Sequence, residues 1–289
     1  MGALLRPFMK WPGNKYQILH HILQRLPAGR RLVEPFAGSC ALSLNAPFDS
    51  HLVCDINADL IHMYQSLVAQ PDAFIEDVRA LFCPENNQGE TYYHFRNKFN
   101  ETEDPYERAL LLIYLNRHGY NGLMRFNQKG KFNVPFGRYT KPYFPEKELR
   151  AFVERLSRAE FLVLNFEDVE ELVQPGDVCY MDPPYLPLSS TSNFTTYATN
   201  GFSFVQQEKL ARLCERLARK GIPVLLSNHH TTEARELYSA SDMQLIQVQR
   251  FISRDGNNRN KVEEVLALFT GETVSGQGGE PGGQRGAAW

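Results

Sequence analysis

The run Val178-Cys179-Tyr180-Met181-Asp182-Pro183-Pro184-Tyr185 carries the residue types with which this chain could do chemistry. Its first four side chains are apolar or aromatic and predict a short buried strand. Asp182 falls at the carboxyl end of that strand. Pro183 and Pro184 then bar the chain from continuing a ladder or opening a helix freely, and Tyr185 is held just beyond them. The outcome is a rigid mouth with one carboxylate, free main-chain carbonyls and one aromatic face, at the end of a strand where α/β sheets bind ligands. Such a mouth suits a reluctant amine. The exocyclic amino group of a nucleobase has its lone pair conjugated into the ring, and must be drawn toward tetrahedral geometry before it can attack a methyl sulfonium. The Asp182 carboxylate and the Pro183 carbonyl would accept its two N–H bonds, where positive charge grows in the transition state. Tyr185 would stack on the base once it has left the helix. The bland alternative is a Pro-rich turn with Asp182 as a cap.

A second group of residues lies near the start of the chain. Lys10-Trp11-Pro12-Gly13-Asn14-Lys15 is a compact loop with an aromatic between two lysines. Helical spacing follows from Asn14 to Leu26 and is stopped by Pro27 and Gly29. Arg31 to Phe36 predicts a strand that ends in Glu34-Pro35-Phe36-Ala37-Gly38-Ser39, and Ala41-Leu42-Ser43-Leu44 suggests that a helix begins there. A small-residue turn between strand and helix lets a cofactor approach the backbone. His51 to Asp55 predicts a second strand ending in a carboxylate, at about the 20-residue offset expected of an acid that binds ribose hydroxyls. Asp55 could equally cap the following helix, and the two roles can coexist.

Between these groups the spacing predicts helices over Asp59 to Val68, Asp72 to Phe82, Thr91 to Phe99 and Pro105 to Asn116, an all-helical insertion. Then His118 to Asn127 and Phe132 to Tyr139 alternate Gly, Asn, aromatic and Arg without helical period. Long loops of that kind in compact domains are usually functional. From Arg108 to Pro145 there is no acidic residue, while Arg108, Arg117, Arg125, Lys129, Lys131, Arg138 and Lys141 all fall there. Interleaved aromatic and basic residues suit wedging into a base stack, holding phosphates and reading base edges. A hairpin with a solvated basic face is the plainer reading.

The remaining chain resumes an α/β alternation. Helices are predicted over Glu146 to Leu156, Gln206 to Lys220 and Thr231 to Tyr238, and strands over Phe161 to Leu164, Val178 to Met181 and Ile222 to Leu226. Leu245 to Ile252 and Val262 to Phe269 read as a closing hairpin around Arg254 to Asn258, and the Gly-rich segment from Glu272 as disordered. Alternating strands and helices mean a mostly parallel sheet. The chain has 289 residues, 43% hydrophobic and 22% charged, enough for one large or two modest domains. No apolar run approaches the ~20 residues of a membrane span, and no secretory signal opens the chain. Cys40, Cys54, Cys83, Cys179 and Cys214 form no CxxC pair and read as reduced thiols in a cytoplasmic setting, with no metal site. The doublets His20-His21 and His229-His230 read as surface or local hydrogen-bonding residues. Net charge is −2, so only the local charge distribution points to nucleic acid.

The loop at Lys10 to Lys15, the turn at Glu34 to Ser39 and the tetrapeptide Asp182-Pro183-Pro184-Tyr185 occur in the order found in Dam-type (D12 class) adenine-N6 DNA methyltransferases, which this chain resembles to about Phe269. The stretches Asn116 to Arg125 and Phe132 to Pro145, with Asn193-Phe194-Thr195, are similar to the GATC-recognising branch. The resemblance implies a Rossmann-like S-adenosylmethionine-dependent methyltransferase sheet with an inserted, mainly helical target-recognition domain. It implies a catalytic part at 1–56 and 145–271, a recognition part at 57–144 and a tail at 272–289. Trp11, Lys15, Phe36, Gly38 and Asp55 would line the S-adenosyl-L-methionine pocket, and Asp182 would touch both cofactor and target. Lys10 would read a base edge near the target. Tyr120 and Asn121 would fill the gap left by the flipped adenine, and Leu123, Arg125, Pro135 and Tyr139 would contact bases. Arg96, Arg117, Asn127 and Asn133 would be phosphate or positioning contacts. The implied partner is double-stranded DNA containing GATC, met by a monomeric enzyme, bacterial or phage-encoded. The chain departs from the family pattern at Cys40 and Asn14, where relatives have Gly, and at Thr140, where they often have Lys. Asp182 favours adenine over cytosine N4 or a glutamine side chain, where Ser or Asn is typical at that position. An RNA amino-methyltransferase and a DNA-binding relative that has lost activity are the alternatives.

Overall fold

The computed structural model describes residues 3–187, 202–249 and 261–271. Asn193-Phe194-Thr195, the Arg254 to Asn258 turn and the tail from Glu272 lie outside the described residues. Seven strands, β1 (Arg31–Glu34), β2 (Ser50–Asp55), β3 (Glu160–Val163), β4 (Asp177–Met181), β5 (Val224–His229), β6 (Asp242–Gln249) and β7 (Lys261–Phe269), form one sheet in the order β3-β2-β1-β4-β5-β7-β6. β1 to β5 are parallel, and β7 runs antiparallel between β5 and β6. The strand order reverses between β1 and β4, and the crevice at such a switch point is where open α/β sheets take their ligands.

The two strands that flank this crevice are held in register from below. Arg31 pairs with Asp177 across the ladder, and its guanidinium forks onto that carboxylate at 3.0 and 2.7 Å. β4 is buried along its whole length, with Val178, Cys179 and Met181 fully covered. A strand buried on both faces reads as a continuous apolar run, which is why Val178 to Met181 was legible.

The helices are α1 (Leu19–Arg25), α2 (Ala58–Ala69), α3 (Pro71–Ala80), α4 (Gly89–Glu101), α5 (Pro105–His118), α6 (Glu146–Leu156), α7 (Phe204–Arg219) and α8 (Thr232–Leu237). α2, α5, α7 and α8 start on side-chain caps. Asn57 accepts from Leu60 N–H, Asp104 from Tyr106 N–H with Pro105 in the first helical position, and Ser203 forms a capping box with Gln206. α2 to α6 lie between β2 and β3. α2 is bound to α5 by a forked pair, Arg108 to Asp59 at 2.6 and 2.7 Å. Tyr64 of α2 stacks on Phe152 of α6 and tilts against Phe161 of β3, so the helices and the sheet edge share one core.

Three expectations need correction. The helix expected from Asn14 to Leu26 opens as a 3-10 turn, Lys15–Ile18, before α1. Ala41 to Leu44 forms turns without becoming a helix, because the Asn45 amide takes the Ala41 and Leu5 carbonyls and Pro47 stops the run. The strand expected at Ile222 to Leu226 begins after Pro223 and continues through Ser227, Asn228 and His229, which pair with Leu266, Val265 and Glu264. The stretch after α5 is an irregular hairpin, bridged at Gly119–Phe136 and Phe126–Phe132. The five cysteines are free, and among the described residues no helix is long and apolar enough to cross a membrane.

Candidate active site and nucleic-acid interface

β4 ends at Met181 and delivers Asp182 into the crevice. One carboxylate oxygen, Oδ1, receives the Lys15 ammonium at 2.8 Å and the Ser227 hydroxyl at 3.1 Å. Burial pushes the Asp182 carboxyl above its ordinary range, and Lys15 and Ser227 pull it back. Among the described residues Oδ2 takes no hydrogen bond, and neither does the Pro183 carbonyl. The next carbonyl is occupied, since Gln207 Nε2 donates to Pro184 O at 2.7 Å. Asn228 Oδ1 accepts the Leu186 N–H at 3.0 Å, and a His229 ring nitrogen donates to the Leu186 carbonyl at 2.5 Å. Tyr185 donates its hydroxyl to Glu264 at 3.1 Å. The loop is thus bracketed on the far side by β5 and α7, leaving two acceptors beside the Tyr185 ring.

Ser227, Asn228 and Gln207 complete this bracket and carried no role in the sequence reading. The signal was a polar triplet, Ser227-Asn228-His229, at the end of an apolar run. Buried polar groups at a strand end need partners, and here Ser227 finds Asp182 while Asn228 and His229 find Leu186, the residue after the tetrapeptide. His229, read as a surface or local hydrogen-bonding residue, is instead buried and bonds to Leu186, 43 residues away. The His20 and His21 rings meet at 3.8 Å, tilted by 39°, with His20 exposed.

The turn after β1 lies beside this mouth. Gly38 has φ +46°, and a Cβ placed there would stand 2.9 Å from the Trp11 ring. Only glycine fits both the conformation and the space. Gly38 N donates to Asp55 Oδ2 at 3.0 Å, and Asn57 N donates to Asp55 Oδ1 at 2.9 Å. Burial raises the Asp55 carboxyl, and these amides lower it. Phe36 stacks on Phe166 at 5.4 Å, and Ile56, beside Asp55, is 73% exposed. The family departures differ in cost. Asn14 sits at φ −50° and caps the 3-10 turn by accepting from Tyr16 N–H, without strain. Cys40 sits at φ +58° and fully buried, a left-handed conformation that costs a non-glycine residue about 1 kcal/mol. Beneath the turn Glu34 is buried, receives the Ser43 hydroxyl, and is pushed up to about 7 by burial first and by the Asp182 charge last.

The residues expected at DNA occupy the hairpin and its supports. Tyr120 is 51% and Leu123 39% exposed; Pro135 is exposed as well. Asn121 adopts φ +53°, and its N–H donates to Tyr139 Oη at 2.8 Å. The Lys10 ammonium stands 5.1 Å from the Tyr139 ring centre. Arg125 donates from Nε to Asn133 Oδ1 at 2.7 Å and from a terminal nitrogen to the Asn133 carbonyl at 3.1 Å. Asn127 Oδ1 closes the tip by accepting from Lys129 and Lys131 N–H. Arg96 donates to the Val134 carbonyl at 3.2 Å.

Arg117 and Arg108 do not belong to an exposed basic face. Arg117 is buried, donates to the Phe8 carbonyl, lies over the Tyr143 ring, and has its pKa lowered by burial. Of its two expected roles, its place fits positioning. Arg108 is spent on Asp59. Arg125, Lys129, Lys131, Arg138 and Lys141 are the exposed cations of the acid-free stretch. One side chain joins the hairpin to the cofactor loop: buried Asn116 accepts from Lys10 N–H at 3.0 Å and donates to the Lys10 and Gly122 carbonyls at 2.7 and 3.2 Å.

With the mouth set where the strand order turns back on itself, the fold is that of an α/β methyltransferase. Comparison with known families narrows the class. The chain belongs to the D12 class N6 adenine-specific DNA methyltransferases, whose family model matches residues 11–253. It is similar to the DNA adenine methylase of Escherichia coli K12, at 47% identity over 270 residues, 93% of this chain and 97% of that protein. It is 48% identical to the DNA adenine methylase of Vibrio cholerae serotype O1 over 266 residues, 92% of this chain and 96% of the relative. The DNA adenine methylase of Salmonella typhi is 48% identical over 264 residues, 91% of this chain and 95% of that protein.

Proposed function

We propose that this adenine-specific DNA methyltransferase methylates N6 of adenine within GATC in duplex DNA, after turning the base out of the helix. The observation that carries the reading is the pair of acceptors left without partners among the described residues, Asp182 Oδ2 and the Pro183 carbonyl, beside the Tyr185 ring. Adenine stacked on Tyr185 would donate its two N6 hydrogens to them. Their pull lessens conjugation of the N6 lone pair and stabilises the positive charge that develops as the C–N bond forms. N6 then loses a proton to solvent, and no dedicated base is needed.

S-adenosylmethionine, when bound, would supply the electrophilic methyl group, its methyl C–S bond breaking as N6 attacks and S-adenosylhomocysteine leaving. The turn after β1 fits such a group: Gly38 leaves space that a Cβ would fill, and Trp11 walls it. Asp55 keeps lone pairs for ribose hydroxyls, and Phe36 and the exposed Ile56 offer apolar surface for an adenine ring. Lys15 lies between this pocket and Asp182. For the DNA, Tyr120 and Asn121 would enter the gap left by the flipped base. Lys10, Leu123, Arg125, Pro135 and Tyr139 would meet base edges, and Arg96, Arg117, Asn127 and Asn133 would hold the reading surface. The recognising part is 57–144, and a single chain suffices, so we propose a monomer working on cytoplasmic DNA.

Labelled methyl transfer to duplexes with GATC and with each single substitution tests the reading. Efficient transfer to GATC alone, as N6-methyladenine, is the expected result. Duplex binding without transfer would make the chain an inactive relative, and transfer to RNA or to cytosine would move the substrate.

A further inference from the structure

The tyrosine face and the carboxylate assigned to the target base already hold a cation. Lys15 Nζ stands 2.8 Å from Asp182 Oδ1, 4.3 Å from the centre of the Tyr185 ring, and 2.7 Å from the Gly13 carbonyl. The ring is the one on which the flipped adenine would stack, and the carboxylate is the one its amino group would use through the other oxygen, Oδ2. The pair is largely withdrawn from water, with side-chain exposures of 10% for Lys15 and 17% for Asp182. A site built to stabilise a nitrogen on which positive charge grows is also a good site for an ammonium. It cannot serve both at full strength, since one ring face and one carboxylate are shared.

We propose that Lys15 is a placeholder for the target base: its ammonium covers the Tyr185 ring and holds the Asp182 carboxylate in the base-free enzyme, and must withdraw when adenine enters. This rests on the assignment of Asp182 and Tyr185 as the target seat. The buried carboxylate is never left without a cationic or N–H donor, which would be costly. It also sets a threshold for base entry, because a base that cannot offer an amino group to Asp182 does not repay the lost ion pair. Lys15 in this role is a positioning residue that acts through Asp182. Its reach back to the Gly13 carbonyl gives the ammonium a partner that base entry does not remove.

The test is a cycle between the side chain and the amino group. Cofactor-free affinities are measured at pH 8 for two GATC duplexes, one with adenine and one with purine, which is adenine without its 6-amino group, at the target position. The adenine-to-purine affinity ratio reports what the amino group gains in its seat. In Lys15→Met the ratio should rise about tenfold, since the amine no longer displaces a charge-assisted contact. Lys15→Gln should move it the same way, and melting curves check that both variants are folded. A ratio unchanged or lowered in both folded variants would overturn the placeholder role. Asp182→Ala separates the two questions: a lowered ratio keeps the seat at Asp182 whatever Lys15 does. An unchanged ratio removes the seat from Asp182 and the placeholder with it.

Discussion

At the scale of single residues, Asp182 and Glu34 show two uses of a buried carboxyl. Asp182 takes Lys15 and Ser227 on one oxygen and, among the described residues, has the other left for work. Asp182→Ala should lower single-turnover methyl transfer by roughly 10²–10³-fold or more while duplex binding survives, the loss expected for a transition-state acceptor. Near-parental turnover would sink the mechanism. Glu34 is raised from 4.5 to about 7, so the fold favours its protonated form. Its contribution to stability is therefore complete below pH 4.5 and is lost as pH rises through about 7. Glu34→Gln does not titrate and should gain on the parent by about 3 kcal/mol between pH 4.5 and 8, read from melts across that range. A constant offset would show that Glu34 is ionised in the fold throughout. The sequence exposed Asp182 to Tyr185 because those residues act as neighbours. Ser227 is 45 residues from the aspartate it touches, and the polar triplet that marks it says nothing of that partner. Glu34 sat inside a recognised turn, yet its charge state depends on Ser43 and on burial, which only packing supplies.

At the scale of elements, the hairpin after α5 holds its cations in two ways, and the proposed function divides them between reading and holding. Arg125 is anchored along one edge by Asn133, which fixes the guanidinium plane while the tip, closed by Asn127, carries Lys129. Arg125→Ala should relax the preference for one base pair of GATC, by ~1–3 kcal/mol against the near-cognate site. Asn133→Ala should follow it at reduced size. Lys129→Ala should weaken all duplexes alike and flatten the salt dependence. Competition among singly substituted duplexes at two salt concentrations checks all three. An equal loss on every duplex for Arg125→Ala would make it a backbone contact. The four helices before the hairpin were legible from apolar spacing. The hairpin was legible only as the plainer reading of a loop, because its bridges pair Gly119 with Phe136 and Phe126 with Phe132 and leave no alternating pattern. The same absence of regular pattern freed Tyr120 and Leu123 to face outward. The end of β5 was lost to its polar residues, which pair with β7 as a strand while serving the mouth.

At the scale of the whole molecule, Asn116 is where the cofactor loop and the reading hairpin become one object. Its side chain is fully buried and serves Lys10 on both backbone groups and Gly122 on one. Asn116→Ala should lower stability by about 2 kcal/mol or more, since partners are left unpaired. It should also weaken cofactor affinity by calorimetry and blur discrimination among duplexes together. A loss of stability with both functions intact would show that the two loops hold their places independently. The sheet itself has a consequence in time. Arg31 and Asp177, which close the centre of the sheet, are 146 residues apart in sequence. The helices between β2 and β3 leave the ribosome before β4 exists, and their contacts are local enough to form early. The methyl-transfer crevice is therefore among the last features to close on a growing chain. Until then the inner edge of β1 is an open row of amides and carbonyls, the part of the nascent protein most exposed to wrong pairing with other chains.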